Sequence, residues 1–177
     1  MGKAHAVAFQ GRIISVHVRE TLHGVREVVT HPGAVAVLLR DEQGRILLVR
    51  QERDGAGRPL WEIPAGTLDP GERPLAAAKR ELSEETGLTA RHWRYLGRVY
   101  PTPGYSSERI YLFRADGVGG APTAQSEVDA VGFFSLEEVL RLARRGQGDG
   151  KTLAALALAA EIESGTSPDA TTAPQVA

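Results

Sequence analysis

Along residues 11–31, GRIISVHVRETLHGVREVVTH, apolar and polar side chains alternate on either side of His23-Gly24. A period of two is that of a strand with one covered face, so the segment predicts a β-hairpin or two strands of a small sheet. After a break at Pro32-Gly33 the pattern changes to an almost continuous apolar run, AVAVLLR (34–40), followed across Asp41 to Gly44 by RILLVRQER (45–53). A strand apolar throughout suits the middle of a sheet, and the short polar link predicts a second hairpin. PLWEIPAG (59–66) reads as a short strand that Pro64 ends, because proline has no N–H for a ladder. The period then lengthens: within 74–86, Leu75, Ala78 and Leu82 fall on one helical face, Pro74 suits a first turn, and Gly87 suits the left-handed residue that closes a helix. Further strands are predicted at 93–100, 109–115 and 130–134. Ser135 with Glu138 three residues on forms a capping box for a helix over 136–145, and a last helix spans 151–163. The stretch 164–177 has almost no large apolar side chain and predicts a disordered tail. No internal repeat is visible.

Composition narrows the functional classes. A chain of 177 residues fits one domain with a core of its own. With 21 basic and 22 acidic residues the net charge is −1, so no global field draws it to nucleic acid or to an anionic membrane. Cysteine is absent, which excludes disulfides and thiol catalysis and fits a reducing compartment. No apolar run approaches the roughly 18 residues that span a bilayer, and Met1 to Gln10 lacks the long apolar stretch of a secretory signal. A soluble cytoplasmic protein is the expectation.

One helix does not obey the usual rules. Glu81, Glu84 and Glu85 sit three and four residues apart, so they converge on one side, expected to lie opposite the core stripe. They repel one another, and they crowd the helix C-terminus, where the macrodipole disfavours anions. A solvated acidic face is the plain explanation. Against it, such local violations are expected at functional sites, and clustered carboxylates are natural ligands of Mg²⁺ or Mn²⁺, which turn repulsion into attraction.

Read with its spacing, the stretch 66–88 is Gly66, five residues, Glu72, seven residues, Arg80-Glu81-Leu82, one residue, Glu84-Glu85, one residue, Gly87-Leu88. It matches the Nudix box, Gx5Ex7REUxEExGU with U apolar, at every defined position, and so resembles the Nudix hydrolases. That resemblance implies an α+β Nudix fold, a mixed β-sheet sandwiched between helices, here with a small N-terminal antiparallel sheet. It also implies hydrolysis of a nucleoside diphosphate linked to another moiety. Glu81 and Glu85 are then the principal metal ligands, with Glu84 a further ligand or the group that activates water. The carbonyl of Ala65 joins them, beside Gly66, where the missing Cβ permits close approach. Glu72 and Arg80 are expected to pair structurally, pinning the loop to the helix.

Substrate choice has to come from outside the box. The segment 50–72 resembles the ADP-ribose pyrophosphatase group, in which an Arg-Gln-x-Arg strand end precedes an acidic residue and Pro-Ala-Gly. Pro103 stands fifteen residues past the box, where that group carries a proline, and the position of Glu108 contacts ribose hydroxyls in similar enzymes. DGKTLAAL (149–156) resembles the entry to that group's last helix. Tyr105 instead falls where diadenosine polyphosphate hydrolases carry a tyrosine, and is equally at home as a loop residue. Trp61 suits adenine stacking, core packing or a dimer interface; Arg53 suits a pyrophosphate clamp or a surface ion pair. In the loop 123–131 the acidic pattern of the group is thinned to Glu127 and Asp129, and Glu127 is the expected general base.

The expected reaction is Mg²⁺-dependent hydrolysis of ADP-ribose to AMP and ribose 5-phosphate, with Mn²⁺ as a substitute metal. The alternatives are hydrolysis of a diadenosine polyphosphate or a nucleotide sugar, and a non-catalytic module that binds ADP-ribose. By the same resemblance, residues 1–32 form strands that dimerise the chain into a homodimer, 33–163 form the hydrolase domain, and 164–177 form the tail.

Overall fold

The computed structural model describes residues 5–125 and 128–164; residues 165–177 of the expected tail lie outside the described residues. In chain order the elements are β1 (His5–Gln10), β2 (Ser15–Thr21), β3 (Gly24–Thr30), β4 (Ala34–Leu39), β5 (Ile46–Arg53), β6 (Arg58–Glu62), β7 (Ala65–Thr67), α1 (Pro74–Thr86), β8 (Thr89–Val99), β9 (Ile110–Gly119), β10 (Ala130–Phe134), α2 (Leu136–Arg144) and α3 (Gly150–Glu163). The strands form three sheets: β1-β2-β3, then β10-β5-β6, and the mixed sheet β7-β4-β9-β8, in which β4 and β9 run parallel.

All six residues of β4 are buried, as its unbroken apolar run requires. Ala34, Ala36 and Leu38 face one core, packed with Val139 of α2 and Ala155, Leu156 and Ala159 of α3. Val35, Val37 and Leu39 face the other, packed with Ala77, Ala78 and Leu82 of α1. Each such Leu or Val contributes roughly 1.5–3 kcal/mol on burial, so this one strand anchors helices on both faces.

The predicted hairpin over 34–53 does not form as one ladder. β4 pairs with β7 and β9, β5 pairs with β6 and β10, and only an isolated bridge between Arg40 and Ile46 joins the two. The turn is as tight as predicted, because Asp41 accepts from the backbone N–H groups of Gln43 and Arg45. Both strands are nonetheless apolar on two faces, and separate sheets cover more of that surface than a shared edge. Leu75 also departs from the predicted core stripe: it is 38% exposed, and Ala77 takes its place among the buried residues of α1. The predicted strand 59–66 is two strands, split by Pro64, and β1 adds a third strand ahead of the hairpin predicted over 11–31. The capping box closes as predicted, Glu138 N–H donating to Ser135 Oγ at 3.2 Å and Ser135 N–H to Glu138 Oε2 at 2.8 Å. Among the described residues no helix is long and apolar enough to cross a membrane.

Candidate active site

Pro64 positions the site. Its lack of an N–H ends β6, but its carbonyl accepts from Val37 N–H at 2.9 Å, and the chain crosses to the other sheet, where β7 pairs with β4 (Val35 with Gly66, Ala36 with Ala65). α1 packs beside β7 and lays two carboxylates on it. Glu85 Oε2 accepts from Ala65 N–H at 3.1 Å. The carboxylate of Glu81, one turn earlier, lies against Gly66, where a Cβ would stand 2.0 Å from the carboxyl carbon. Gly66 is therefore required by close approach, and no larger residue leaves Glu81 where it is.

The carboxylates are thus not all on a solvated face, as the helical spacing had predicted. Glu85 is 8% exposed, and Glu81 keeps only 12% of its side chain in solvent against 55% for Glu84. The row through Glu81 and Glu85 runs along the border of the core stripe, and β7 covers it. Burial, reinforced by Glu81 and Glu62, pushes the Glu85 carboxyl up to about 8, against the opposing Ala65 N–H and Arg53. Burial also raises Glu81, although Arg80 opposes the shift.

Arg80 ties the acidic residues together. It donates to both oxygens of Glu72 at 3.0 and 2.8 Å, to Thr67 O at 3.2 Å, to Glu81 at 2.7 Å and to Glu84 at 3.1 Å. Glu72 accepts in addition from Asp69 N–H at 3.1 Å, and the Arg80 hydrogen bonds hold its carboxyl below the ordinary glutamate value. This clasp fixes the loop between β7 and α1. Gly87, at φ 69°, then closes the helix through a bond to Ser83 O.

A second charged group is built around Glu62, three residues before Ala65 in the chain. Glu62, 2% exposed, accepts from Arg53 at 2.5 Å through one oxygen and from Lys151 through the other; Lys151 also donates to Asp149 at 2.6 Å. Arg53 is consequently no simple surface pair. Its partner is fully buried, while its own side chain is 37% exposed. Sequence reading singled out Arg53 but neither Glu62 nor Lys151. The acidic residue before Pro-Ala-Gly and the Asp-Gly-Lys-Thr run were visible separately, yet nothing in a separation of 89 positions says that they meet.

The remaining candidates are spread more widely. Trp61 is partly buried, edge-on to Phe134 at 4.8 Å between centroids, and its backbone N–H donates to Gln147 O. Pro103 and Glu108 lie in the link between β8 and β9, which is tied to β3: Val29 N–H donates to Tyr105 O, Ser107 N–H to Val29 O, and His31 N–H to Ser107 Oγ. Among the described residues no hydrogen bond or ion pair joins that link to the α1 carboxylates. Asp129 pairs with Arg50 at 3.1 Å. Glu127 lies outside the described residues.

No three His, Asp or Glu side chains converge closely enough to hold an ion among the described residues. The donors gathered at β7 are nevertheless of one chemical kind: two carboxylates, Glu81 and Glu85, laid on the backbone of Ala65 and Gly66. Hard anionic oxygens in a half-buried cradle that a Cβ would fill suit a hard divalent cation.

The NUDIX domain family matches residues 30–156. The chain is 42% identical over 127 residues to an ADP-ribose pyrophosphatase of Mycobacterium tuberculosis, covering 69% of this chain and 61% of that one. It is 41% identical over 113 residues to an ADP-ribose pyrophosphatase of Bacillus subtilis, covering 61% of each. The matched part thus spans about six-tenths of the length of these relatives. A solved ADP compounds hydrolase superposes with a TM-score of 0.73 over 92% of both chains at 21% identity, a likeness of fold.

Proposed function

The chain belongs to the Nudix family, and from that premise we propose that it is a pyrophosphohydrolase that adds water across the diphosphate of ADP-ribose, giving AMP and ribose 5-phosphate. The observation that carries the reading is the seating of Glu81 and Glu85 on Ala65–Gly66, with the Arg53–Glu62 pair beside it. The substrate comes from the two relatives named for this activity and from the 50–72 segment with Pro103 and Glu108.

In this reading Glu81, Glu85 and the carbonyl of Ala65 hold Mg²⁺, with Glu84 as a further ligand. When bound there, such an ion would supply charge neutralisation to phosphate oxygens and a lowered pKa to a water. Arg53 supplies a guanidinium to the phosphates, the kind of donor that meets phosphate oxygens at two points. Glu127 takes the proton of the attacking water, and Glu84 is its rival for that role. Arg80 and Glu72 keep the loop and helix in register and touch no substrate. Trp61 offers a ring to the adenine, and Glu108 accepts from ribose hydroxyls.

The protein acts as a cytoplasmic homodimer, with 1–32 as the dimerising element and 33–163 as the hydrolase domain. Support comes from the sheet β1-β2-β3, which exposes Val7 at 55%, Phe9 at 56% and Val25 at 59%. The same sheet, through Val29, borders the link that carries Glu108.

The test is AMP release from ADP-ribose with Mg²⁺, run beside a diadenosine polyphosphate and a nucleotide sugar. ADP-ribose is expected to give the highest kcat/KM, and a higher value for either rival substrate replaces this assignment. Binding of ADP-ribose without turnover would instead make the chain a sensor.

A further inference from the structure

Lys151 has no part in the proposed chemistry, yet its ammonium is one of the most enclosed charges in the molecule. Its side chain is 10% exposed, in the first turn of α3, and it bridges Glu62 and Asp149. Both anchors are themselves committed. Asp149 caps α3, accepting from Thr152 N–H at 3.2 Å and from its hydroxyl at 2.5 Å, and the same hydroxyl oxygen accepts from Ile63 N–H at 3.1 Å. The start of α3 thus grips Glu62 by its side chain and the next residue by its backbone, three residues before Gly66. Along Asp149, Lys151, Glu62 and Arg53 the charges alternate in sign and balance.

We propose that Lys151 is a positioning residue for phosphate binding: by occupying one oxygen of Glu62 it leaves Arg53 with charge and N–H donors free for the pyrophosphate. This rests on the reading of Arg53 as the phosphate clamp. Glu62 divides its charge between two cations, each oxygen taking one. Without Lys151, the buried carboxylate has Arg53 as its sole cation and draws it inward. The group then carries a surplus negative charge where two phosphates have to bind, in surroundings where charges are weakly screened. The consequence falls on substrate affinity, since Lys151 touches neither the water nor the leaving group.

Steady-state kinetics with ADP-ribose at saturating Mg²⁺ tests this in Lys151→Met, Lys151→Arg, Lys151→Met/Glu62→Gln and Arg53→Met. Lys151→Met is expected to raise KM roughly tenfold with kcat little changed, a size typical of coupling through packed charged groups. Lys151→Arg restores KM. The double variant recovers most of the loss, because the surplus carboxylate is gone. Lack of recovery in the double variant means that Lys151 meets substrate directly, and a fall in kcat and thermal midpoint at unchanged KM means a merely structural role; either overturns the proposal. Should Lys151→Met fail to fold, Lys151→Gln, which keeps a donor for Glu62 but no charge, carries the same expectation. If Arg53→Met leaves KM unchanged, the clamp reading fails and this inference with it. If Arg53→Met raises KM and Lys151→Met does not, the positioning role alone is overturned.

Discussion

Two buried glutamates, Glu62 three residues before Ala65 and Glu85 hydrogen-bonded to the Ala65 N–H, are treated in opposite ways. Glu62, 2% exposed, is matched by the cations of Arg53 and Lys151. Glu85, 8% exposed, accepts one backbone N–H from Ala65, and no ion pair reaches it among the described residues. Its carboxyl is pushed up to about 8, by burial first and then by Glu81 and Glu62. A buried carboxylate with its cations in place belongs to the scaffold; one enclosed without a cation is arranged for a charge from outside. Position within α1 sharpens the contrast, since Glu81 and Glu85 also stand near the C-terminal end of the helix dipole, which disfavours them further.

On that distinction the largest effect belongs to Glu85. Replacing it by glutamine removes a hard anionic ligand and is expected to lower kcat/KM for ADP-ribose roughly 10³-fold or more, whereas Glu72→Gln, which loosens only the Arg80 clasp, falls in the outer-shell range of about 10–100-fold. Kinetics across a Mg²⁺ titration checks the pair. Equal small losses in both would erase the difference between ligand and clasp.

The next effect tests the cradle rather than the ligand. Gly66→Ala places a Cβ 2.0 Å from the Glu81 carboxyl carbon, so the carboxylate must leave β7. Activity is expected to fall about 10²-fold with the fold retained, since displacement of a group by about an ångström can cost that much. Near-normal activity with unchanged circular dichroism would show that Glu81 has no need of its seat on Gly66.

How much of this was legible beforehand divides along similar lines. The box spacing, Pro74 and Gly87 located α1 to the residue, because caps and motif positions are local chemistry. The capping box of α2 was equally readable. The hairpin over 34–53 and the inward role of Leu75 were misread, since both depend on which sheet covers a doubly apolar strand and on where α1 meets β7. The site followed the same rule. Sequence could gather Glu81 and Glu85 on one helical face, but not say that β7 buries that face, nor that Lys151 reaches Glu62. Those contacts join residues far apart in the chain, and periodicity carries no information about them.

The scaffold glutamate has its own test. Glu62→Gln leaves Lys151 and Arg53 without the carboxylate between them and is expected to destabilise the protein by about 2–3 kcal/mol in urea unfolding; the cost stays below that of a fully enclosed pair because Arg53 reaches solvent. Glu85→Gln in metal-free protein is expected to do the reverse and raise stability at neutral pH. Equal destabilisation by both substitutions would mean that the two glutamates are alike.

The smallest expected effect is a slope with pH, and it isolates Glu85 in metal-free protein. A carboxyl raised on folding from its ordinary 4.5 to about 8 binds more proton in the folded state than in the unfolded state between those values. The derivative of unfolding free energy with pH is set by the unfolded minus the folded proton count, so it is negative there. The contribution of Glu85 is therefore most favourable below about 4.5, declines through the window, and is fully lost above about 8. Urea midpoints at several pH values between 6 and about 8.5, in chelator, are expected to fall more steeply in the wild type than in Glu85→Gln. Adding Mg²⁺ at the upper end is expected to restore the wild-type midpoint and to leave that of Glu85→Gln nearly still, because a ligand stabilises only the state that binds it. Parallel slopes in the two proteins, or an equal response to Mg²⁺, would remove Glu85 as the enclosed carboxylate that awaits a cation.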